Sequence, residues 1–246
     1  VQDTSGEAFY IRDELTGQFW SPTPAPASGT APTTIRHGFG YTVFEHAENG
    51  IVSELWVYVA MNAPVKFMVL KVRNASGRPR RLSVTGYWEW VLGDSRNKSL
   101  MHVQTEVELK TGALLARNNY NTEFPGRVAF LDVNDDTRTM TGDRKEFIGR
   151  NGSLSRPAAM KRTRLSGKVG AGLDPCGAVQ VAFTLQDGQE RSTNFRLGVG
   201  SSLADVQNLI QRFRRTDACR TALEGVGAYW SRTLGTVTVE TPDPSV

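Results

Sequence analysis

Redox and metal chemistry have little to work with in this sequence, since its 246 residues include two cysteines and three histidines. Cys176 and Cys219 stand far apart and match no metal or redox spacing. They read either as structural thiols of a reducing compartment or as a single disulfide. No group of His, Cys and Asp is spaced as a metal site, so neither a metal nor another cofactor is expected. G-x-S-x-G, the P-loop and a G-x-G-x-x-G opening a helix are all missing; GAGLDP (Gly170 to Pro175) runs into a strand and reads as a turn. No apolar run approaches the ~20 residues of a membrane span. The chain opens without an initiator Met or a basic-then-apolar leader, and its first residues already approach a strand, as expected of a piece of something longer.

Charge of one sign is also scarce. Lys and Arg number 29 against 25 Asp and Glu, a net of +4. The densest basic groups (Arg78, Arg80, Arg81 and Lys161, Arg162, Arg164) sit beside turn residues. They read as solvated surface, and no nucleic-acid partner is expected.

What the chain does contain is β text. IVSELWVYVA (Ile51 to Ala60) is β-branched and aromatic, and Asn49-Gly50 before it is a strong hairpin signal, because both positions accept φ > 0. YTVFEHAE is therefore expected to pair antiparallel with IVSELWVY. A second hairpin is expected between VKFMVLKVRN (Val65 to Asn74) and RRLSVTGYWEWVLG (Arg80 to Gly93). In the latter, Leu82, Val84, Trp88, Trp90 and Leu92 alternate onto one face, with Ser83, Thr85, Tyr87 and Glu89 on the other. Phe67, Met68, Val69 and Leu70 are apolar without alternation, which predicts a central strand covered on both faces. Further strands are expected at Met101 to Leu109, Arg127 to Val133, Ala178 to Leu185 and Arg191 to Leu197. The last two flank Asp187-Gly188 and read as a hairpin. Trp20, within GQFWSPTP, reads as a core plug. The predicted fold is all-β, a large antiparallel sandwich.

Helical text begins at Ser202, an N-cap with Asp205 as its partner, and puts Leu203, Val206, Leu209, Ile210 and Phe213 on one stripe. A second helix is predicted from Asp217 to Leu234 with Leu223, Val226, Trp230 and Leu234 inward, although Gly225 and Gly227 weaken it.

Two segments carry groups suited to sugars. ARNNYNTEFPGRVAF (Ala116 to Phe130) surrounds Tyr120 and Phe124 with Asn118, Asn119, Asn121, Glu123 and Arg127. TGDRKEFIGRNGSLSRPAA (Thr141 to Ala159) concentrates Asp143, Arg144, Arg150, Asn151 and Arg156 between glycines. Amides and carboxylates bond paired hydroxyls, an aromatic ring covers the C–H face of a sugar, and arginine adds a fork suited to phosphate. The same composition also describes solvated connections. His37, His46 and His102 with Glu45, Glu54 or Glu106 would make a mutarotase-like acid–base set only if they converged in one cleft.

In order along the chain, GEAFYIRDELTGQFWSPTP, RHGFGYTVFEH, RPRRLSVTGYWEWVLG, ARNNYNTEF, TGDRKEFIGRNGS and VGAGLDPCGA resemble the β-sandwich region of inverting glycoside phosphorylases such as cellobiose and chitobiose phosphorylases. Most of all they resemble the phosphorylase-like C-terminal part of cyclic β-1,2-glucan synthases. The resemblance implies a galactose-mutarotase-like supersandwich over residues 1–200 that lacks its first strands, linker helices over 201–236, and the start of a missing (α/α)6 catalytic barrel over 237–246. The family's general acid lies in that barrel, so no catalytic residue is expected here. By resemblance, DRKEFIGRNGSLSRP matches a sandwich loop that closes the sugar site of a neighbouring subunit. Arg150, Asn151 and Arg156 are accordingly candidate substrate-binding residues, with Arg144, Asn119, Tyr120 and Glu123 from the two segments. The implied partners are β-1,2-glucan or another β-glucoside, phosphate, the barrel, and a second copy in a homodimer. The implied location is the cytoplasmic face of the inner membrane, as a soluble region of a large membrane protein that itself makes no membrane contact. An independent carbohydrate-binding module is the alternative expectation.

Overall fold

The computed structural model describes residues 6–215 and 217–236; the expected barrel start at 237–246 lies outside them. Two antiparallel sheets face each other. The smaller is ordered β11 (Thr139–Asp143), β12 (Pro175–Leu185), β7 (Arg80–Glu89), β1 (Glu7–Asp13) and β2 (Phe19–Trp20). The larger runs β3 (Thr33–Gly38), β4 (Tyr41–Glu48), β5 (Ile51–Val59), β6 (Val65–Asn74), β13 (Glu190–Gly200), β10 (Val128–Val133), β9 (Leu114–Asn118) and β8 (Val103–Val107).

Alternation sorts residues between layers. Phe9, Leu82, Val84, Trp88 and Val181 of the smaller sheet interleave with Leu55, Met68, Leu70, Leu131 and Phe195 of the larger. Phe9 meets Trp88 edge-on at 5.3 Å, the arrangement that ring quadrupoles favour. Trp20 is 2% exposed in this core, the plug expected of it. Gly86 makes room for Trp88, because a Cβ there would lie 2.4 Å from the indole. As predicted, β6 is central and covered on both faces: Met68 and Leu70 point between the sheets, and Phe67 points out beneath the helices.

The outer face of the larger sheet is covered by α3 (Leu203–Phe213) and α4 (Ala218–Leu234). Val206, Ile210, Phe213 and Val226 pack there on Tyr58, Phe67, Leu115 and Phe130. The cap forms as read, with Ser202 Oγ accepting from Asp205 N while Asp205 Oδ2 accepts from Ser201 N at 2.8 Å. Two expected inward residues differ. Leu203, at the start of α3, and Leu234, at the end of α4, are 38% and 48% exposed and do not join the cluster under the helices. Gly225 and Gly227 do not interrupt α4, whose buried contacts outweigh their propensity cost.

The Asn49-Gly50 hairpin forms between β4 and β5, with φ of 51° and 76° at the turn. The other two expected hairpins do not form. β6 pairs with β5 and β13, whereas β7 pairs with β1 and β12, so residues 75–79 cross between sheets. Asp187-Gly188 makes its turn, with Gln189 N donating to Gln186 O at 3.1 Å, yet β12 and β13 also diverge into opposite sheets. The two crossovers lie side by side and are stitched by buried Asn74, whose Nδ2 donates to Arg78 O and Leu185 O at 2.7 and 3.1 Å. A tight turn reverses the chain in either case; burial of both faces of β6 and β7 decides which sheet each joins.

Arg80 also departs from expectation. It is 4% exposed, and its Nε and Nη2 donate to Asp13 Oδ2 at 2.9 and 2.6 Å. Arg78, Arg81, Lys161, Arg162 and Arg164 are exposed as read. Cys176 and Cys219 are free thiols, buried in separate clusters on the outer faces of opposite sheets, which decides against the disulfide.

Candidate functional site

Both polar segments emerge at one end of the sandwich. β7, β9 and β11 finish there and β10 and β12 begin there, as the antiparallel register requires. The chain leaving β7 anchors the first of them. Leu92 O accepts from Asn118 Nδ2 at 2.9 Å and from Asn121 Nδ2 at 3.1 Å. The same asparagines accept on Oδ1 from Tyr120 N (3.0 Å), Glu123 N (3.0 Å) and Phe124 N (3.1 Å). They therefore hold the loop's shape through local side-chain turns. Beside them opens a cavity of about 490 Å³, lined by Leu92, Asp94, Glu123, Phe124, Arg127 and Val199 among others. Phe124 is 55% exposed. Asn119 and Tyr120 are exposed outside this lining, and Tyr120 stacks on His102 with centroids 4.3 Å apart.

The second segment is more ordered than a loop. It contains the end of β11, α2 (Arg144–Ile148) capped by Asp143, and a short 3-10 turn (Ala158–Lys161). Phe147, Ile148 and Met160 bury onto Tyr10 and Tyr87 of the smaller sheet's outer face. Tyr10 Oη donates to Leu154 O at 2.7 Å and pins the far side.

Arg144 is committed to this scaffold. Its Nε donates to Glu89 Oε1 at 2.8 Å, and it also pairs with Asp174; Arg96 pairs with the same two carboxylates. Burial pushes the Glu89 carboxyl up, but bonds from Arg144 and Tyr87 and the charges of Arg144 and Arg96 outweigh it and hold the group below its usual range. Glu89 thus stays ionised, the opposite of what a general acid needs. Arg150, Asn151 and Arg156 are exposed, and no ion pair engages either arginine among the described residues. Asn151 sits in the left-handed region at φ 59°, a conformation Asn tolerates through its short polar side chain.

Of the seven candidates, then, Glu123 lines the cavity, Asn119 and Tyr120 project beside it, and Arg150, Asn151 and Arg156 project from the neighbouring segment. Arg144 ties that segment down. Sequence reasoning did not find Asp94 or the Glu89–Arg96–Asp174 set, whose members come from three separate stretches. The only trace was polar text after a strand that ends at Glu89 rather than Gly93.

The histidines do not converge. His37 lies on the β3 edge, bonded to Thr42, and His46 is buried beside Glu48 on β4. His102 precedes β8, the opposite edge of the larger sheet. Among the described residues no cluster of His, Cys, Asp and Glu is arranged to hold a metal, and no helix is long and apolar enough to cross a membrane.

With this sandwich and its loop-bearing end described, the chain can be compared with known proteins. The family model described as "Glycosyl hydrolase 94, supersandwich domain" matches residues 1–216. The chain belongs to this family. It is 34% identical over 99% of its length to the cyclic beta-(1,2)-glucan synthase NdvB of Rhizobium meliloti (strain 1021), and spans 9% of that protein. It is 26% identical to N,N'-diacetylchitobiose phosphorylase of Vibrio furnissii over 99% of its own length and 31% of the relative. Among solved structures, a bacterial glucoamylase complexed with acarbose shares the fold with a TM-score of 0.64 at 8% identity, covering 94% of this chain and 32% of that one. The glycosyl hydrolase 94 supersandwich thus matches only a minor part of each relative.

Proposed function

We propose that this supersandwich is a non-catalytic accessory domain of a glucan-synthase-like or glycoside-phosphorylase-like enzyme, and that its loop-bearing end contributes to a saccharide site completed by a catalytic barrel. One observation carries the reading: the two polar segments share an end, are rigidly anchored through Leu92 and Glu89, and present Glu123, Phe124, Arg127, Arg150 and Arg156 outward from that anchorage. Anchored loops with exposed tips complement a partner surface at small entropic cost. In this reading residues 1–200 are the sandwich, 201–236 link it to the barrel, and 237–246 begin the barrel. The substrate class is β-1,2-glucan or another β-glucoside with phosphate, handled at the cytoplasmic side of the inner membrane. A second copy is served by the Arg150–Arg156 segment.

Calorimetric titration with β-1,2-glucan oligosaccharides tests the division of labour. Weak or absent binding by this chain, with no phosphorolysis, is expected. Micromolar binding would instead make it an independent carbohydrate-binding module, and release of glucose 1-phosphate would refute the accessory role. In the full-length enzyme Arg150→Ala is expected to impair sugar handling while leaving the melting temperature within about 1–2 °C, since exposed positions carry little stability. Collapse of the thermal transition would refute that assignment.

A further inference from the structure

A second cavity, of about 480 Å³, opens on the outer face of the smaller sheet, toward the end of β7 opposite the candidate loops. Three arginines line it, Arg81, Arg138 and Arg164, with Asp136 as the one acidic group. Arg138 contributes charge with each of its guanidinium nitrogens already engaged, Nε to Gly112 O, Nη1 to Asp135 O and Nη2 to Thr111 O at 3.1, 2.7 and 2.7 Å. Arg81 and Arg164 are different. Both are exposed, and no side-chain hydrogen bond or ion pair engages them among the described residues.

The floor has the same polarity. Gln180 of β12 is 2% exposed; its Oε1 accepts from Thr139 Oγ1 at 3.3 Å, while its Nε2 has no hydrogen-bond partner. Buried amide donors are seldom left unpaired, because the lost hydration is not replaced. Thr163 adds a hydroxyl. Asp136 does not neutralise the site: its side chain is 98% exposed and 3.4 Å from Arg138. Free donors and net positive charge in a concave, partly apolar wall match an oxyanion, and the planar fork of arginine suits phosphoryl oxygens. The volume falls within the ~300–1,000 Å³ of small-molecule sites, which leaves room for a substituent on the anion.

We propose that this pocket binds a phosphoryl-bearing small molecule of about monosaccharide size, its phosphoryl oxygens held between Arg81 and Arg164 above Gln180. The site is separate from the saccharide-facing end and does not depend on the function proposed for it.

Isothermal titration of the chain at low ionic strength with inorganic phosphate, glucose 6-phosphate and glucose tests the assignment. Glucose 6-phosphate is expected to bind more tightly than phosphate, and glucose not at all. Arg81→Ala and Arg164→Ala should each weaken glucose 6-phosphate about tenfold, as loss of a charge-assisted bond does. Asp136→Asn should tighten it, and Arg150→Ala should leave it unchanged. All four positions are exposed, so circular dichroism melts should confirm an unchanged fold. No heat with either phosphate compound at millimolar concentration, equal binding of glucose, or full affinity in the Arg81→Ala/Arg164→Ala double variant would overturn the proposal. Loss of phosphate binding in Arg150→Ala alone would overturn it too, by moving the anion to the loop-bearing end.

Discussion

Asp132 on β10 joins the sandwich to its helices through two arginines. It lies under α3, 1% exposed, with Arg196 Nη2 at 2.9 Å from its Oδ2 and Arg214 Nε donating to the same oxygen at 3.1 Å. Arg196 is itself 1% exposed and donates from Nη1 to Phe213 O at 2.6 Å, the carbonyl at the end of α3. Burial pulls the Arg196 pKa down, and the Asp132 charge only partly restores it. Hydrogen bonding to Asp132 holds the Arg214 pKa up. Asp132→Ala therefore strands one buried guanidinium, whereas Arg214, with 28% of its side chain exposed, can turn to water. Uncompensated buried charge costs roughly 3–5 kcal/mol. At roughly 2–4 °C per kcal/mol for a chain of this size, the melting temperature should fall by about 6–20 °C. Arg196→Leu leaves Asp132 bonded to Arg214 and should cost only about 1–2 kcal/mol. Asp132→Leu with Arg196→Leu removes both buried charges and should recover most of the loss. Circular dichroism melts of the three variants decide the matter. A fall of less than about 3 °C in Asp132→Ala, or a larger fall in Arg196→Leu, would refute the charge-burial argument.

Glu108 ties the turn before β9 to α3, accepting from Thr111 N at 2.6 Å, Thr111 Oγ1 at 2.7 Å and Gln207 Nε2 at 3.0 Å. Burial raises its pKa, but those bonds and Lys110 N prevail and bring it to about 2 from 4.5. Its contribution is thus fully present above pH 4.5 and is lost as pH falls toward 2. Glu108→Gln should cost about 1–3 kcal/mol at pH 7 by urea unfolding, and the gap should narrow at pH 3; a pH-independent gap contradicts the assignment. Burial pushes the thiols of Cys176 and Cys219 up, so a thiol reagent at pH 8 should label both only after unfolding. Fast labelling of the native chain would show that the clusters open locally.

Much of this architecture is written locally. The β6 run at Phe67–Leu70 and the alternation from Leu82 to Trp90 report which side chains are buried and on how many faces. Asn49-Gly50 and Ser202 report a turn and a cap whose hydrogen bonds form within a few residues. The collinear motifs indicated the family. The two false hairpins mark where that legibility stops: Asp187-Gly188 makes its turn, but local chemistry is silent about whether the next strand pairs with the last one or crosses to the facing sheet.

The candidate site divides the same way. Which residue types suit a saccharide could be read directly, but their engagement could not. Arg144 and Arg150 belong to one stretch, and only the approach of Glu89 and Asp174 commits the first to the scaffold and leaves the second exposed. Arg80 and Arg81 are neighbours, yet Asp13, 67 residues away, buries one, while the other lines an open cavity. By itself the sequence marked the long strands, the two C-terminal helices, most of their buried faces and the resemblance to the family. The tertiary structure decided the sheet each strand joins, the partner each charge finds and the pockets that remain between them. Periodicity and capping act within a few residues, whereas desolvation and charge pairing depend on groups that only folding brings together.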